Sequence, residues 1–165
     1  SQLGTVGAVY MMFAHGLISA ILFMSVGSIQ HSLGTRIIER LGGLALKMPK
    51  VGVIITAGLL AGLGLPGMVQ FVAEIPIFIA TYKVFGALLA LPILTVVLTA
   101  GYALWAVARA MHGPISPLSD QAHDAPAYEF WPMLFLAILT VLFGSAPGLL
   151  MGMINHSVEA ILALL

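Results

Sequence analysis

The sequence predicts an all-α membrane protein, a multi-span helical bundle with one discontinuous helix, on three grounds. Apolar residues fill 61% of its 165 positions and charged residues only 7%, against about 25% charged in an average globular chain, too few to clothe a soluble surface. The apolar residues fall into four tracts, each long enough to cross the roughly 30 Å hydrocarbon core of a bilayer as a helix. One of these tracts is too long for the bilayer and carries Gly62-Leu63-Gly64-Leu65-Pro66-Gly67 near its middle.

The first tract, 5–30, holds one ionisable residue, His15, in Phe13-Ala14-His15-Gly16-Leu17-Ile18-Ser19. A histidine at mid-span reads equally as a satisfied packing residue or as a proton relay, since its ordinary pKa near 6.5 suits proton transfer at neutral pH. Ser19, one turn on, is placed to hold a water beside it. Gly16, Ser19 and Ala20 read as a close-packing face. Segment 31–50 follows, with Arg36, Glu39, Arg40, Lys47 and Lys50. Setting it in the cytoplasm also brings Arg109 there, so that five of the six basic residues lie inside and Lys83 alone lies outside, as the positive-inside rule prefers.

The second tract, 51–82, would run about 48 Å as one helix, well beyond the hydrocarbon thickness. Proline removes a backbone donor, and glycine permits irregular dihedrals, so the segment around Gly64, Pro66 and Gly67 must interrupt it. Freed backbone groups are tolerated in a membrane only where protein packs on them or water reaches them. Two readings stand, a packing kink and a functional break, and the residue that follows favours the second. Glu74 lies seven positions past Gly67 and about 13 Å of helical rise from Lys83, near the bilayer midplane. Burying a carboxylate there costs on the order of a few kcal/mol, and such an acid is an ion-pathway candidate by default. Gln70, one turn before Glu74, is read either as a hydrogen-bond relay or as an interhelical contact.

Lys83 separates the second tract from the third, 84–108, and a polar loop, 109–129, precedes the fourth, 130–152. In that loop His112, Asp120, His123 and Asp124 lack regular metal-ligand spacing and are interleaved with Pro114 and Pro117, so a solvated loop is preferred to a metal site. In the tail 153–165, Ile154, Val158, Ile161, Leu162 and Leu165 recur at helical spacing opposite Asn155 and Glu159, which predicts an amphipathic helix at or within the interface.

Several functions are excluded by composition. Six basic and six acidic residues leave no net charge to attract nucleic acid or acidic ligands. With no cysteine in the chain, disulfides, thiolate catalysis and directly ligated iron–sulfur clusters are ruled out, so any redox centre belongs to a partner. No glycine-rich phosphate loop or nucleophile elbow is present, and no signal peptide is expected.

Taken together, Ala14-His15-Gly16-Leu17-Ile18-Ser19-Ala20 with Leu22-Phe23, Thr35-Arg36, Gly42-Gly43-Leu44, Lys47-Met48-Pro49, Gly64-Leu65-Pro66-Gly67 and Phe71-Val72-Ala73-Glu74 resemble, in order and spacing, the antiporter-like membrane subunits of respiratory complex I. The resemblance is greatest to the NuoM-type (chain 4) subunit, including its archaeal relatives in deazaflavin-dependent dehydrogenases. It extends over essentially the whole chain, which reads as the C-terminal third of a longer subunit. Glutamate at 74 and serine at 19 favour this type, because Mrp-type antiporters and other antiporter-like subunits tend to carry lysine at the first position and the chain 5 type at the second. Met68-Val69-Gln70 departs from the family, where small, glycine-containing residues are usual.

The resemblance implies a proton-translocating subunit of a redox-driven pump of the NADH:quinone oxidoreductase kind, with sodium as the alternative ion. Glu74 and His15 would be its proton-pathway residues, and Ser19, Gln70, Gly64, Pro66 and Gly67 would support the pathway. It implies no cofactor in this chain, with iron–sulfur clusters and a flavin or similar carrier in partner subunits. The partners would be other antiporter-like membrane subunits, a hydrophilic redox arm and the lipid bilayer, with no nucleic acid, in a prokaryotic cell membrane. The alternatives are a subunit of a Mrp-type cation/proton antiporter or of a membrane-bound hydrogenase, and a fragment that only completes a bundle.

Overall fold

The computed structural model describes residues 1–163, and every long element among them is an α-helix. Leu165, expected on the apolar face of the tail, lies outside the described residues.

Helix α1, Gln2–Leu33, is the post around which the others gather. The Ser1 side chain caps it by accepting from the Gly4 N–H, and it stops at Gly34, whose left-handed conformation (φ 68°) turns its N–H back to the Gln30 carbonyl. Its inward face is Val6, Tyr10, Ala14, Ile18, Ile21 and Ser25, stepping by three and four residues. Gly16, expected on a close-packing face with Ser19 and Ala20, is turned away from the other described helices: it is exposed, and no atom lies within 4 Å of where its Cβ would be, while Ser19 and Ala20 are half-buried. A span that is apolar all round gives periodicity little to select a face by.

After α1 the chain forms a short helix, α2 (Leu44–Lys47), and starts α3 (Pro49–Gly62). Segments 31–50 and 109–129 fold onto each other: Gly43 N–H and Ala45 N–H donate to the His112 and Met111 carbonyls, Gly42 N–H to Ser119 Oγ, and Lys47 pairs with Asp120 at 2.8 Å. Asp124 accepts from the Lys50 and Val51 N–H groups and so caps α3, while His123 N–H donates to Ser32. The polar residues of this loop therefore pin helix ends, and among the described residues no group of three or more His, Asp or Glu is placed to hold a metal.

Helix α3 ends at Gly62, and α4 (Val69–Phe85) begins after an interruption at 63–68. The two halves run antiparallel along α1. Gly58 of α3 sits against Ile21 and Leu22, Ile77 and the Ala73 carbonyl of α4 lie against Gly7, and Ala80 reaches Gly4. A Cβ on Gly7 would come within 2.9 Å of Ile77 and 3.1 Å of the Ala73 carbonyl, so this glycine lets α4 approach α1 closely. The interruption consequently faces the middle of α1.

Gly86 (φ 57°, ψ −122°) ends α4, and after a single tight turn α5 (Ala90–Ala110) runs back, since Pro92 and Thr95 line the same cavity as Glu74 and Phe78. Most of α5 faces outward with Leu91, Leu94, Val97, Leu98, Tyr102 and Trp105 exposed. Helix α6 (Ala127–Ser145) closes the bundle on the other side of α1. Ser28 Oγ donates to Glu129 at 2.6 Å and His31 Nδ1 lies 2.7 Å from the other carboxylate oxygen.

A second interruption, not anticipated from sequence, separates α6 from α7 (Gly148–Leu162) at Ala146-Pro147. Pro147 has no N–H to offer the Phe143 carbonyl, and Tyr10, fully buried, supplies its hydroxyl instead at 2.7 Å. The tail helix starts earlier than expected and lies along the first half of α1. Ile154 and Val158 join the core of Val6 and Tyr10, Gln2 donates to Glu159 at 2.9 Å, and Ile161 and Leu162 are exposed. Among the described residues three runs are long and apolar enough to cross a membrane, Gln2–Leu33, Val69–Ala110 and Ala127–Ser145, the second being the α4–α5 hairpin. The chain is an all-α membrane protein.

Candidate functional site

The interruption between α3 and α4 builds a polar point inside the bundle. An uninterrupted helix would satisfy the Gly62 carbonyl with the N–H of residue 66, but residue 66 is proline. The Gln70 side chain takes over: its Nε2 donates to the Gly62 carbonyl at 2.7 Å and to Glu74 Oε1 at 2.9 Å. Both hydrogens of one amide nitrogen are thereby used. Glu74 is only 7% exposed, and its carboxylate rests against Gly64, where a Cβ would overlap it. Gly64 also holds φ 70°, a left-handed conformation that other residues adopt at a cost. Among the described residues nothing donates to Glu74 Oε2, and the carboxylate lines a cavity of about 320 Å³ shared with Phe78, Pro92, Thr95 and Thr99.

A second cavity of about 290 Å³ adjoins the first, with Gly62, Gln70 and Thr99 lining both. His15, Ser19 and Tyr102 belong to the second one, and Ser19 Oγ lies 3.2 Å from His15 Nε2. The residues singled out from sequence are therefore distributed in three places. Glu74, Gln70, Gly64 and Pro66 meet at the break; Gly67 lies on its outer side, where its carbonyl receives Ser145 Oγ at 3.4 Å; His15 and Ser19 occupy the adjoining cavity, with no direct bond to Glu74. Gly144 of α6 packs so closely on Gly67 and Met68 that a Cβ there would overlap their backbone.

Two polar features were missed. Thr95 and Thr99 stand one turn apart and bond their hydroxyl hydrogens to the carbonyls four residues back, leaving oxygen lone pairs for the cavity. Two hydroxyls at i and i+4 on one apolar span were the available signal. The Ser28, His31 and Glu129 cluster had none, since Glu129 lies 101 and 98 residues from the other two in sequence.

The family model described as NADH:quinone oxidoreductase/Mrp antiporter, TM, matches residues 1–100. The chain is 40% identical over 158 residues to F(420)H(2) dehydrogenase subunit M of Methanosarcina mazei, covering 96% of this chain and 32% of that protein. It is 32% identical over 164 residues to NADH-quinone oxidoreductase subunit M of Rickettsia felis, covering 98% and 33%. Among solved structures it is similar to a chain of respiratory complex I from Thermus thermophilus with bound NADH, with a TM-score of 0.87 and 28% identity over 97% of this chain and 34% of that one. A chain of the Mrp complex from Dietzia, 18% identical with a TM-score of 0.80 over 96% of this chain and 38% of its own, shares the fold. The chain thus spans about a third of the length of the curated relatives it matches. On this match of sequence and architecture, the chain belongs to the family of antiporter-like membrane subunits common to NADH:quinone oxidoreductases and Mrp antiporters.

Proposed function

We propose that this chain is the proton-transferring part of a subunit in a redox-driven, complex I-like pump, and that Glu74 is its terminal site of proton uptake and release. The observation behind this reading is the placement of a buried carboxylate inside a helix break, held by Gln70 and opening on a cavity between α4 and α5. A buried acid has a penalty for its charged form that the protein must offset with donors, and gaining or losing one proton there changes the local energy by several kcal/mol. That sensitivity is what a pump needs at a switching site.

His15 is the relay that feeds Glu74. The two cavities meet at Gln70 and Thr99, and each is large enough for several waters, so a proton leaving His15 passes by way of water and the Thr99 hydroxyl to Glu74 Oε2. Ser19 orients the His15 ring, and the irregular backbone around Gly64, Pro66 and Gly67 keeps the route open. Segment 31–50 lies in the cytoplasm of a prokaryotic cell. The electrons travel in partner subunits that carry iron–sulfur clusters and a flavin or similar carrier; this chain supplies proton transfer, with other antiporter-like subunits and a hydrophilic arm around it. Glutamate at 74 and the resemblance to dehydrogenase subunits favour this over a free-standing Mrp-type antiporter.

Glu74→Gln in the full-length subunit of the assembled complex tests the reading. The amide keeps size and hydrogen bonding but holds no exchangeable acid proton. Assembly is expected to persist while pumping through this subunit is lost; undiminished pumping would remove Glu74 from the mechanism.

A further inference from the structure

The cavity of Glu74 contains no other titratable side chain among the described residues, and the adjoining cavity contributes His15 and Tyr102. Into this sparse setting the sequence places a residue with unusual reach. Gln70 bonds through one nitrogen to two groups with different jobs: the Gly62 carbonyl, which belongs to the last turn of α3, and the Glu74 carboxylate, which belongs to α4. Without Gln70, among the described residues nothing polar joins the two half-helices across the break except the backbone bonds of 63–68, where Gly64 and Leu65 N–H reach Ala61 and Leu60 and Met68 N–H reaches Leu65.

We infer that Gln70 is a positioning residue that ties the proton occupancy of Glu74 to the geometry of the helix break. The inference rests on the reading of Glu74 as an exchanging site. When Glu74 is ionised, Oε1 accepts from Nε2 in a charge-assisted hydrogen bond, about twice as strong as a neutral one. That bond fixes the Gln70 amide so that its other hydrogen holds the Gly62 carbonyl at the end of α3, and it leaves the carboxylate seated against Gly64. A proton arriving from the cavity binds Oε2, the oxygen without a protein donor. Oε1 becomes the carbonyl of a neutral acid, a weaker acceptor, so Glu74 no longer fixes the Gln70 amide, and the bond from that amide to Gly62, which is the one that crosses the break, loosens with it. The break opens with the proton on and closes with the proton off. Glutamine fits this task by length, since it spans from its own Cα to a carbonyl eight residues back and to a carboxylate four residues on. A smaller residue at 70 would leave the Gly62 carbonyl orphaned beside Pro66.

The test uses the full-length subunit in its assembled complex, with a single cysteine introduced as Leu65→Cys at the exposed outer side of the break; the described chain has no cysteine of its own. Labelling by a water-soluble maleimide is measured against pH and normalised to a cysteine at exposed Ile37, which removes the ionisation of the thiol itself. In the native background the normalised rate is expected to rise on acidification, and this rise should persist with His15→Gln, which excludes the histidine as its source. With Gln70→Met, which keeps length but has no donor, the rate should be high at every pH, and the infrared carbonyl band of protonated Glu74 should move to higher wavenumber for want of its donor. With Glu74→Gln the pH dependence should vanish. If Gln70→Met does not assemble, Gln70→Asn, which keeps the amide but is too short to reach both Gly62 and Glu74, is read in its place with the same expectation. A pH-independent native profile, or a Gln70→Met protein with native labelling and a native band, would overturn the inference. If instead Glu74→Gln pumps normally, the reading of the site fails, whereas loss of pumping in Glu74→Gln with no change in labelling sinks the tie alone.

Discussion

Gly64→Ala adds one methyl group to the point where the backbone and the carboxylate meet. Two costs follow from the geometry. Residue 64 holds φ 70°, and a non-glycine residue in the left-handed region costs roughly 1–2 kcal/mol. The new Cβ also overlaps the Glu74 carboxylate. The carboxylate is the end of a flexible side chain and moves away, but in moving it gives up its bond to Gln70 Nε2, and a hydrogen bond to a charged group contributes about 1.5–3 kcal/mol. The total, roughly 2.5–5 kcal/mol at the break, is spread between local strain and a displaced Glu74, and only the first part can be relieved by continuing α3. The expected result is an assembled complex with lower thermal stability of the subunit and strongly reduced proton pumping in proteoliposomes at normal electron transfer. Gly16→Ala is the control, since Gly16 is helical with open space at its Cβ; it should be neutral or slightly stabilising, by about 1 kcal/mol at most. Native pumping in Gly64→Ala would refute the claim that the carboxylate works where it is seated.

His15→Ala should lower pumping and change its pH profile, because the residue is an exposed part of the adjoining cavity and not of the core; an unaltered rate and profile would mark it as a packing residue. Replacing Pro66 and Gly67 together by alanine should favour continuous helix, by roughly 3 kcal/mol for proline and 1 for glycine, and should reduce both pumping and the labelling of cysteines placed at 64–74. Full pumping with unchanged accessibility would reduce the break to a kink. Tyr10→Phe should destabilise the subunit by about 1–3 kcal/mol, read as a lower melting temperature in detergent, since the Phe143 carbonyl opposite Pro147 then loses its donor; an unchanged melting temperature would mean that the second interruption finds another partner.

The sequence made the first break legible because proline and glycine act locally, through a missing donor and permissive dihedrals, and because a tract of 32 residues exceeds the bilayer. Glu74 stood out for the same kind of reason: one charge in an apolar run needs no tertiary information to be noticed. The second break was hidden because the fourth apolar tract, 130–152, is no longer than a tilted span needs, so Pro147 read as part of one helix, and the tail was read separately. The face of α1 that turns toward the other described helices was not legible at Gly16, because lipid and protein neighbours are equally apolar and hydrophobic periodicity carries no signal when both sides of a helix face the same chemistry. Gln70 had two equal readings until the distances to Gly62 and Glu74 were known. Its choice depends on where a carbonyl orphaned by Pro66 ends up, which is a three-dimensional fact.

The claim at the centre of this account is that Glu74 gains and loses a proton during turnover. Infrared difference spectroscopy of the working complex measures this directly, with the carboxylic acid band of Glu74 assigned by its absence in Glu74→Gln. A band is expected that appears and disappears with redox cycling, shifts in deuterium oxide, and weakens in Gly64→Ala in proportion to the loss of pumping. A Glu74 band that stays constant through turnover while protons are pumped would contradict it.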